Sequence, residues 1–330
     1  MKKFMQALLC AVVLIGGASL AGEFFRRGKE LEQMTPSVPA EETVQAVAAT
    51  TQKSTVPQTT AGASAAEQTT GARKTYTGLF ALQEVQFTVQ DPDNTRGLST
   101  QRMEHSYGVS KNGVPHDISV NSQKYFDKCG YHAITYDNKT TEKVLYLTFD
   151  CGYENGNTTK ILDVLKEKKV PAAFFCTLHH IEQEPQLIAR MIKEGHIVGN
   201  HSDKHPDFSA ISRTRMAKEI ETVDNYLRTR FGYTAPYFRF PEGTYSENAL
   251  ELVDSLGFTS VFWSCSYPDW DVNNTKGKQY ALDTLTARLH PGAIILLHAV
   301  SPDNTAAMGD IIDTARSMGY TFRSLDEYGK

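Results

Sequence analysis

Long apolar runs are nearly absent from this 330-residue chain. Only Ala7 to Leu20 approaches the length needed to cross a bilayer, which excludes a polytopic membrane protein. No block of Lys or Arg interrupts the body, and 34 basic against 38 acidic residues leave a formal charge of −4. No nucleic-acid partner is therefore expected. Neither GxGxxG nor GxxxxGK(S/T) follows any predicted strand, which argues against a dinucleotide or P-loop site. The five cysteines include no CxxC spacing, so no structural zinc knot is indicated. From Thr35 to Thr75 there is no Leu, Ile, Phe, Tyr or Trp. Such a stretch cannot bury enough apolar surface to offset its ordering entropy.

Lys2 and Lys3, the run Ala7 to Leu20, and the small residues Ser19 and Ala21 make residues 1–22 an export signal. An uncleaved anchor is the other reading, because the run is nearly long enough and Arg26, Arg27 and Lys29 weaken the charge bias. On both readings the body lies outside the cytoplasmic membrane, secreted or tethered to its outer face. Cys10 lacks preceding small residues, which argues against a lipoprotein. Residues 23–75 are a disordered Ala/Thr/Gln/Ser-rich linker. Residues 76–140 mix an ambiguous apolar pattern (Leu79, Leu82, Val85, Phe87, Val89) with loop signals at Gly108, Gly113 and Pro115. They are read as an N-terminal extension packed on the domain that follows. Export permits disulfides among Cys129, Cys151, Cys176 and Cys265. Cys176 and Cys265, however, sit in apolar runs typical of buried strands, where free cysteine is common.

After residue 140 the chain alternates. Strands are predicted at 144–149, 172–176, 196–199, 237–239, 260–263 and 293–297. Helices are predicted at 158–168, 185–194, 213–230, 246–256, 280–289 and 304–318. The helix beginning at Arg213 carries Met216, Ile220, Val223 and Leu227 at three- and four-residue spacing. This alternation implies an α/β fold with a parallel sheet, closer to a (β/α) barrel than to a doubly wound sheet. In such a barrel the chemistry sits at the C-terminal strand ends.

Those ends carry Asp150, then His201 with His205, then Arg239 before Pro241 and Glu242, then Asp269 and Trp270, then His298. On a helical turn His201 and His205 would face one ion at i and i+4; two surface loop histidines are the plainer alternative. Glu is absent between them, so this is not the zinc-protease helix. Asp150 follows an apolar strand, where an unpaired carboxylate is costly. It serves either as a general base beside a metal-bound water or as a helix cap or ion-pair partner of Arg239. His298 is either a core histidine or a proton donor tuned by a carboxylate such as Asp269, itself otherwise a solvated loop acid.

The runs TFDCGYENG (148–156), HSDKHP (201–206), RFPEG (239–243), SYPDWDVNN (266–274) and LLHAVSPDN (296–304) resemble, in order, the motifs of NodB-homology polysaccharide deacetylases, carbohydrate esterase family four. They look most like the delta-lactam-biosynthetic branch of spore-forming bacteria. The resemblance covers 141–330 and implies a distorted (β/α) barrel. It further implies metal-dependent removal of N-acetyl groups from an amino sugar of peptidoglycan, either N-acetylmuramic acid on the route to muramic delta-lactam or N-acetylglucosamine. By position, Asp150 would be the base, His201 and His205 the metal ligands, Arg239 the orienter of the base, and His298, tuned by Asp269, the acid. The Glu242 backbone N–H would face the oxyanion, and Trp270, Pro241 and Tyr153 would line the groove. The resemblance also implies a divalent ion, zinc first with cobalt or manganese as alternatives, a glycan strand as partner, and a monomer. Two positions depart from the family. Cys151 stands where most members carry a ligating Asp, and is either a third metal ligand as thiolate or a bystander; it is also what leaves a catalytically impaired wall-binding protein as an alternative to the enzyme. Glu242 stands where an aromatic or basic side chain is usual.

Overall fold

The structure, a computed structural model, describes residues 80–330 and the strand Tyr76–Thr77. The export segment 1–22 and the linker 23–75 lie outside the described residues. An eight-stranded sheet organises the chain: β1 (Ala133–Ile134), β2 (Val144–Cys151), β3 (Ala172–Cys176), β4 (Ile197–Asn200), β5 (Tyr237–Phe238), β6 (Thr259–Val261), β7 (Ala293–His298) and β8 (Thr321–Phe322). Their order is β7-β2-β3-β4-β5-β6-β1, with β8 also on β2. Every pairing in this sheet is parallel. β2 is buried at all eight positions, as expected of a strand covered on both faces. The sheet curls until its ends approach. Tyr136 bridges to Ala293, and Cys265 bridges to Ile295. This is the distorted barrel that the alternation and the motifs imply.

The helices are α1 (Asp117–Cys129), α2 (Thr158–Lys168), α3 (Leu178–Gln183), α4 (Pro185–Lys193), α5 (Arg213–Phe231), α6 (Glu247–Ser255), α7 (Lys278–Thr286) and α8 (Pro302–Ser317). Ser212, Ser246 and Ser301 cap α5, α6 and α8 through their hydroxyls. Pro302 opens α8, where its missing N–H costs nothing. Each element predicted after residue 140 is present to within three residues of its expected bounds.

Residues 103–136 had read as loops, yet they contribute α1 and β1. The buried face of α1 is mostly polar: Ser119, Gln123 and Phe126. Gln123 acts as a backbone clamp, its amide donating to the Ala133 carbonyl at 3.1 Å and accepting from Thr135 N–H at 2.8 Å. The loop signals Gly108, Gly113 and Pro115 stand just before the start of α1 and masked it in the sequence. Phe126 anchors α1 in an aromatic layer with Phe262, at 5.1 Å between ring centroids, and Tyr245, at 5.8 Å. Further upstream, an extended segment is lashed to α5. Asn225 holds both backbone groups of Val85 at 2.8 Å, and Leu82 N–H donates to the Arg228 carbonyl.

Candidate active site

Asp150 ends the buried run of β2, and its carboxylate is held by a guanidinium that the fold leaves no freedom. Arg239 is fully buried. Its Nη1 donates to Asp150 Oδ1 at 2.8 Å, its Nη2 to Thr148 Oγ1 at 2.9 Å, and its Nε to the Val261 carbonyl at 2.8 Å. The guanidinium carbon lies 4.1 Å from the centroid of the Phe175 ring. Thr148 passes its own hydroxyl proton to the Ile295 carbonyl at 2.6 Å, so each group in this network is satisfied. Burial alone would raise the Asp150 pKa. The Arg239 guanidinium, supported by the neighbouring His201 and His298 rings, overcomes it and holds the carboxyl below its ordinary value. Asp150 is thus an ionised acceptor in a dry place.

His201 follows the end of β4. Its Nδ1 lies 2.9 Å from the Arg239 carbonyl, a contact only an N–H can make, so the lone pair falls on Nε2. That nitrogen faces Asp150 Oδ2 at 3.6 Å. Burial lowers the His201 pKa, which keeps the ring neutral. His205 is brought back toward it by a loop, not by a helical turn: residues 201–206 form no helix. The i, i+4 expectation fails here because Ser202 and His205 take left-handed φ of 69° and 54°. The loop is pinned by Asn200, which accepts from Ser202 N–H at 2.9 Å, and by Ser202 Oγ, which accepts from His205 N–H at 3.0 Å. The two imidazoles meet edge to face at 4.9 Å between centroids. Burial, then the neighbouring His201, push the His205 pKa down to about 3. Two neutral imidazoles beside an ionised carboxylate are a donor set that fits a divalent cation.

His298 ends β7 directly beside Asp150, the two residues being register partners on neighbouring strands. Asp269 grips it twice, accepting from Nδ1 at 2.6 Å and from the backbone N–H at 2.8 Å. Asn304 donates to the same carboxylate at 2.5 Å and accepts from the Tyr267 hydroxyl. Burial works against the charged ring, but the Asp269 carboxylate outweighs it and raises the His298 pKa. Asp150 and His298 therefore stand side by side with their pKa values shifted in opposite directions, a pattern that suits a pair of acid–base groups. The exposed Trp270 indole packs edge-on to His298 at 5.9 Å. Tyr153 is half-buried, and Pro241 is buried in the turn that presents Glu242. Glu242 is exposed and left-handed, at φ 57°. The next residue must be glycine: a Cβ on Gly243 would come within 2.7 Å of both the His105 carbonyl oxygen and the Trp263 ring.

Residues 137–261 match the polysaccharide deacetylase family. The peptidoglycan-N-acetylmuramic acid deacetylase PdaA of Bacillus subtilis (strain 168) is 44% identical over 219 residues, spanning 66% of this chain and 82% of that protein. The chain belongs to the polysaccharide deacetylase family. The solved structure of Bacillus subtilis PdaA, a family 4 carbohydrate esterase, superposes on this deacetylase with a TM-score of 0.66 at 42% identity, covering 70% of this chain and 98% of that one. A chitooligosaccharide deacetylase of Sinorhizobium fredii is 34% identical over 197 residues, 56% of this chain and 90% of that protein.

Within this deacetylase one expected residue keeps different company. Cys151 is fully buried, and its sulfur groups with Cys176 and His180, not in a close trio with His201 and His205. Successive residues of a strand face opposite ways, so Asp150 and Cys151 diverge. Sequence reasoning also missed Thr148 and Asn304. Thr148 could have been found as the one aliphatic hydroxyl in a strand of otherwise large apolar and aromatic residues, two positions before Asp150.

Proposed function

We propose that this deacetylase hydrolyses N-acetyl groups of peptidoglycan, with N-acetylmuramic acid as its preferred sugar. The observation that carries this reading is the in-register pair on β2 and β7: Asp150 kept ionised by Arg239 and His298 kept protonated by Asp269. His201 and His205 would hold a divalent ion, zinc first, with cobalt or manganese able to replace it. Bound there, such an ion supplies Lewis-acid polarisation of the acetamide carbonyl and a more acidic water.

The chain's own groups complete the reaction. Asp150 takes the proton of the attacking water as the C–O bond forms. The Glu242 backbone N–H donates to the developing oxyanion. As the C–N bond breaks, His298 gives its Nε2 proton to the departing amine, while Asp269 holds Nδ1 and so fixes which nitrogen faces the substrate. Trp270 borders the sugar, with Tyr153 and Pro241 flanking it. Acetate and a free amine result. On a muramic residue without its stem peptide, that amine can close onto the lactyl carboxyl with loss of water to give a lactam, the modification of spore cortex.

The muramic preference rests on the 44% identity to PdaA, against 34% to the chitooligosaccharide enzyme. A wall substrate accords with the reading of residues 1–22 as an export signal or an uncleaved anchor, either of which would place the body outside the cytoplasmic membrane. The test is acetate release, followed by mass spectrometry of defined glycans with zinc, cobalt or manganese supplied. Deacetylation of muramic residues in peptide-stripped strands is expected. Release from glucosamine residues alone would move the substrate to the alternative, and no release with any ion would defeat the hydrolytic reading.

A further inference from the structure

A second polar cluster lies one residue from the base. Cys151, Cys176 and His180 bring one donor atom each to a place where the three atoms lie within 4.8 Å of one another, and all three side chains are fully buried. Register explains the encounter. Cys151 and Cys176 are direct partners on β2 and β3. Thr177 then caps α3 by accepting from the His180 N–H, which starts the helix at the strand end and returns His180 to the two thiols.

Buried polar groups normally carry hydrogen bonds, and the exceptions ask for a cause. Neither ring nitrogen of His180 meets a partner in good geometry, the Tyr153 backbone alone approaching it. Glu154 Oε2 and Thr158 Oγ1 are likewise buried without a hydrogen bond. They belong to the same neighbourhood: the Glu154 charge acts on both Cys151 and His180, and Glu154 Oε1 accepts from Thr158 N–H at 3.2 Å. Two soft sulfurs and a neutral imidazole are a zinc-type donor set, whereas nitrogen and oxygen alone make up the His201–His205 corner.

We propose that Cys151, Cys176 and His180 form a second, structural cation site for a thiophilic ion of the zinc class, with Glu154 beside it, separate from the His201–His205 pair. Charge balance favours it: a dication with two thiolates is neutral, as a fully buried site requires. Binding ionises both thiols and releases two protons to solvent. His180 loses none, because burial already holds its pKa at about 4. The ion would staple the C-terminal ends of β2 and β3 to the start of α3, clamping the backbone that carries Asp150. The site does not depend on the deacetylase chemistry, and its test reads the metal directly.

The purified protein, kept reduced and loaded with cobalt, is expected to show thiolate-to-cobalt charge-transfer absorption. Cys176→Ser should weaken that band, the double change Cys151→Ser with Cys176→Ser should abolish it, and His205→Ala should leave it in place. No band in the reduced wild type would overturn the site. So would a band lost in His205→Ala and kept in Cys176→Ser, or a Cys151–Cys176 disulfide that forms in the presence of zinc. If the cysteine variants fail to fold, zinc-edge X-ray absorption of the wild type decides. A sulfur shell at about 2.3 Å is expected, and nitrogen and oxygen neighbours alone would refute the proposal.

Discussion

Asp150 and Cys151 are adjacent in the chain and sit in opposite kinds of surroundings. Around Asp150 two hydrogen-bonded relays run through the buried groups: Arg239, Thr148 and the Ile295 carbonyl form one, and His298, Asp269, Asn304 and Tyr267 form another. Around Cys151 the neighbouring His180, Glu154 and Thr158 leave buried atoms without hydrogen bonds. A satisfied network fixes geometry and protonation states before substrate arrives. Two thiols beside an imidazole whose ring nitrogens lack good hydrogen bonds are the basis of the second cation site proposed above. The same strand end thus carries the candidate acid–base pair on one face and the sulfur–imidazole cluster on the other.

The strongest way to break this contrast is to remove the base. Asp150→Asn keeps the shape but cannot take a proton, and kcat for acetate release should fall by about 10²–10⁴-fold. Removing the partner of the base should be felt in stability. Arg239→Ala leaves a buried carboxylate unpaired and should cost roughly 3–5 kcal/mol, read from denaturant unfolding. A destabilisation below about 1 kcal/mol would show that the relay is not the anchor described here.

The acid side predicts a pH effect. The His298 pKa is raised by Asp269, so the protonated donor persists above the ordinary histidine range and is lost as pH rises through the raised value. Asp269→Asn removes that carboxylate charge and should shift the alkaline limb of kcat toward lower pH. An unmoved limb would mean that another group sets it. The smallest effect is expected at Thr148→Val, which removes the acceptor for one Arg239 N–H and should cost about 1 kcal/mol, with a modest loss of kcat.

Much of this was open to reading along the chain. β2 announced itself as an unbroken apolar run ending in a carboxylate, and α5 as a regular stripe of Met216, Ile220, Val223 and Leu227. Asp150, Arg239, Asp269 and His298 could be placed at strand ends because strand ends are where such a fold gathers its chemistry. Illegible parts had physical reasons. α1 follows directly on the loop signals Gly113 and Pro115, and β1 is two residues long. His201 and His205 converge through two left-handed residues, Ser202 and His205, that no spacing rule anticipates.

Local chemistry in the sequence determined the alternation of strand and helix, the parallel sheet, and which residue types reach its rim. These follow from side-chain periodicity and from where apolar runs stop, both properties of neighbours in the chain. Only the tertiary structure decided who meets whom. It set His298 in register with Asp150, closed Arg239 between two strands, and turned Cys151 away from the histidines toward Cys176 and His180. Those outcomes depend on which face of a strand end meets which neighbouring strand. Packing across the sheet decides that, and the order of residues along one segment does not contain it.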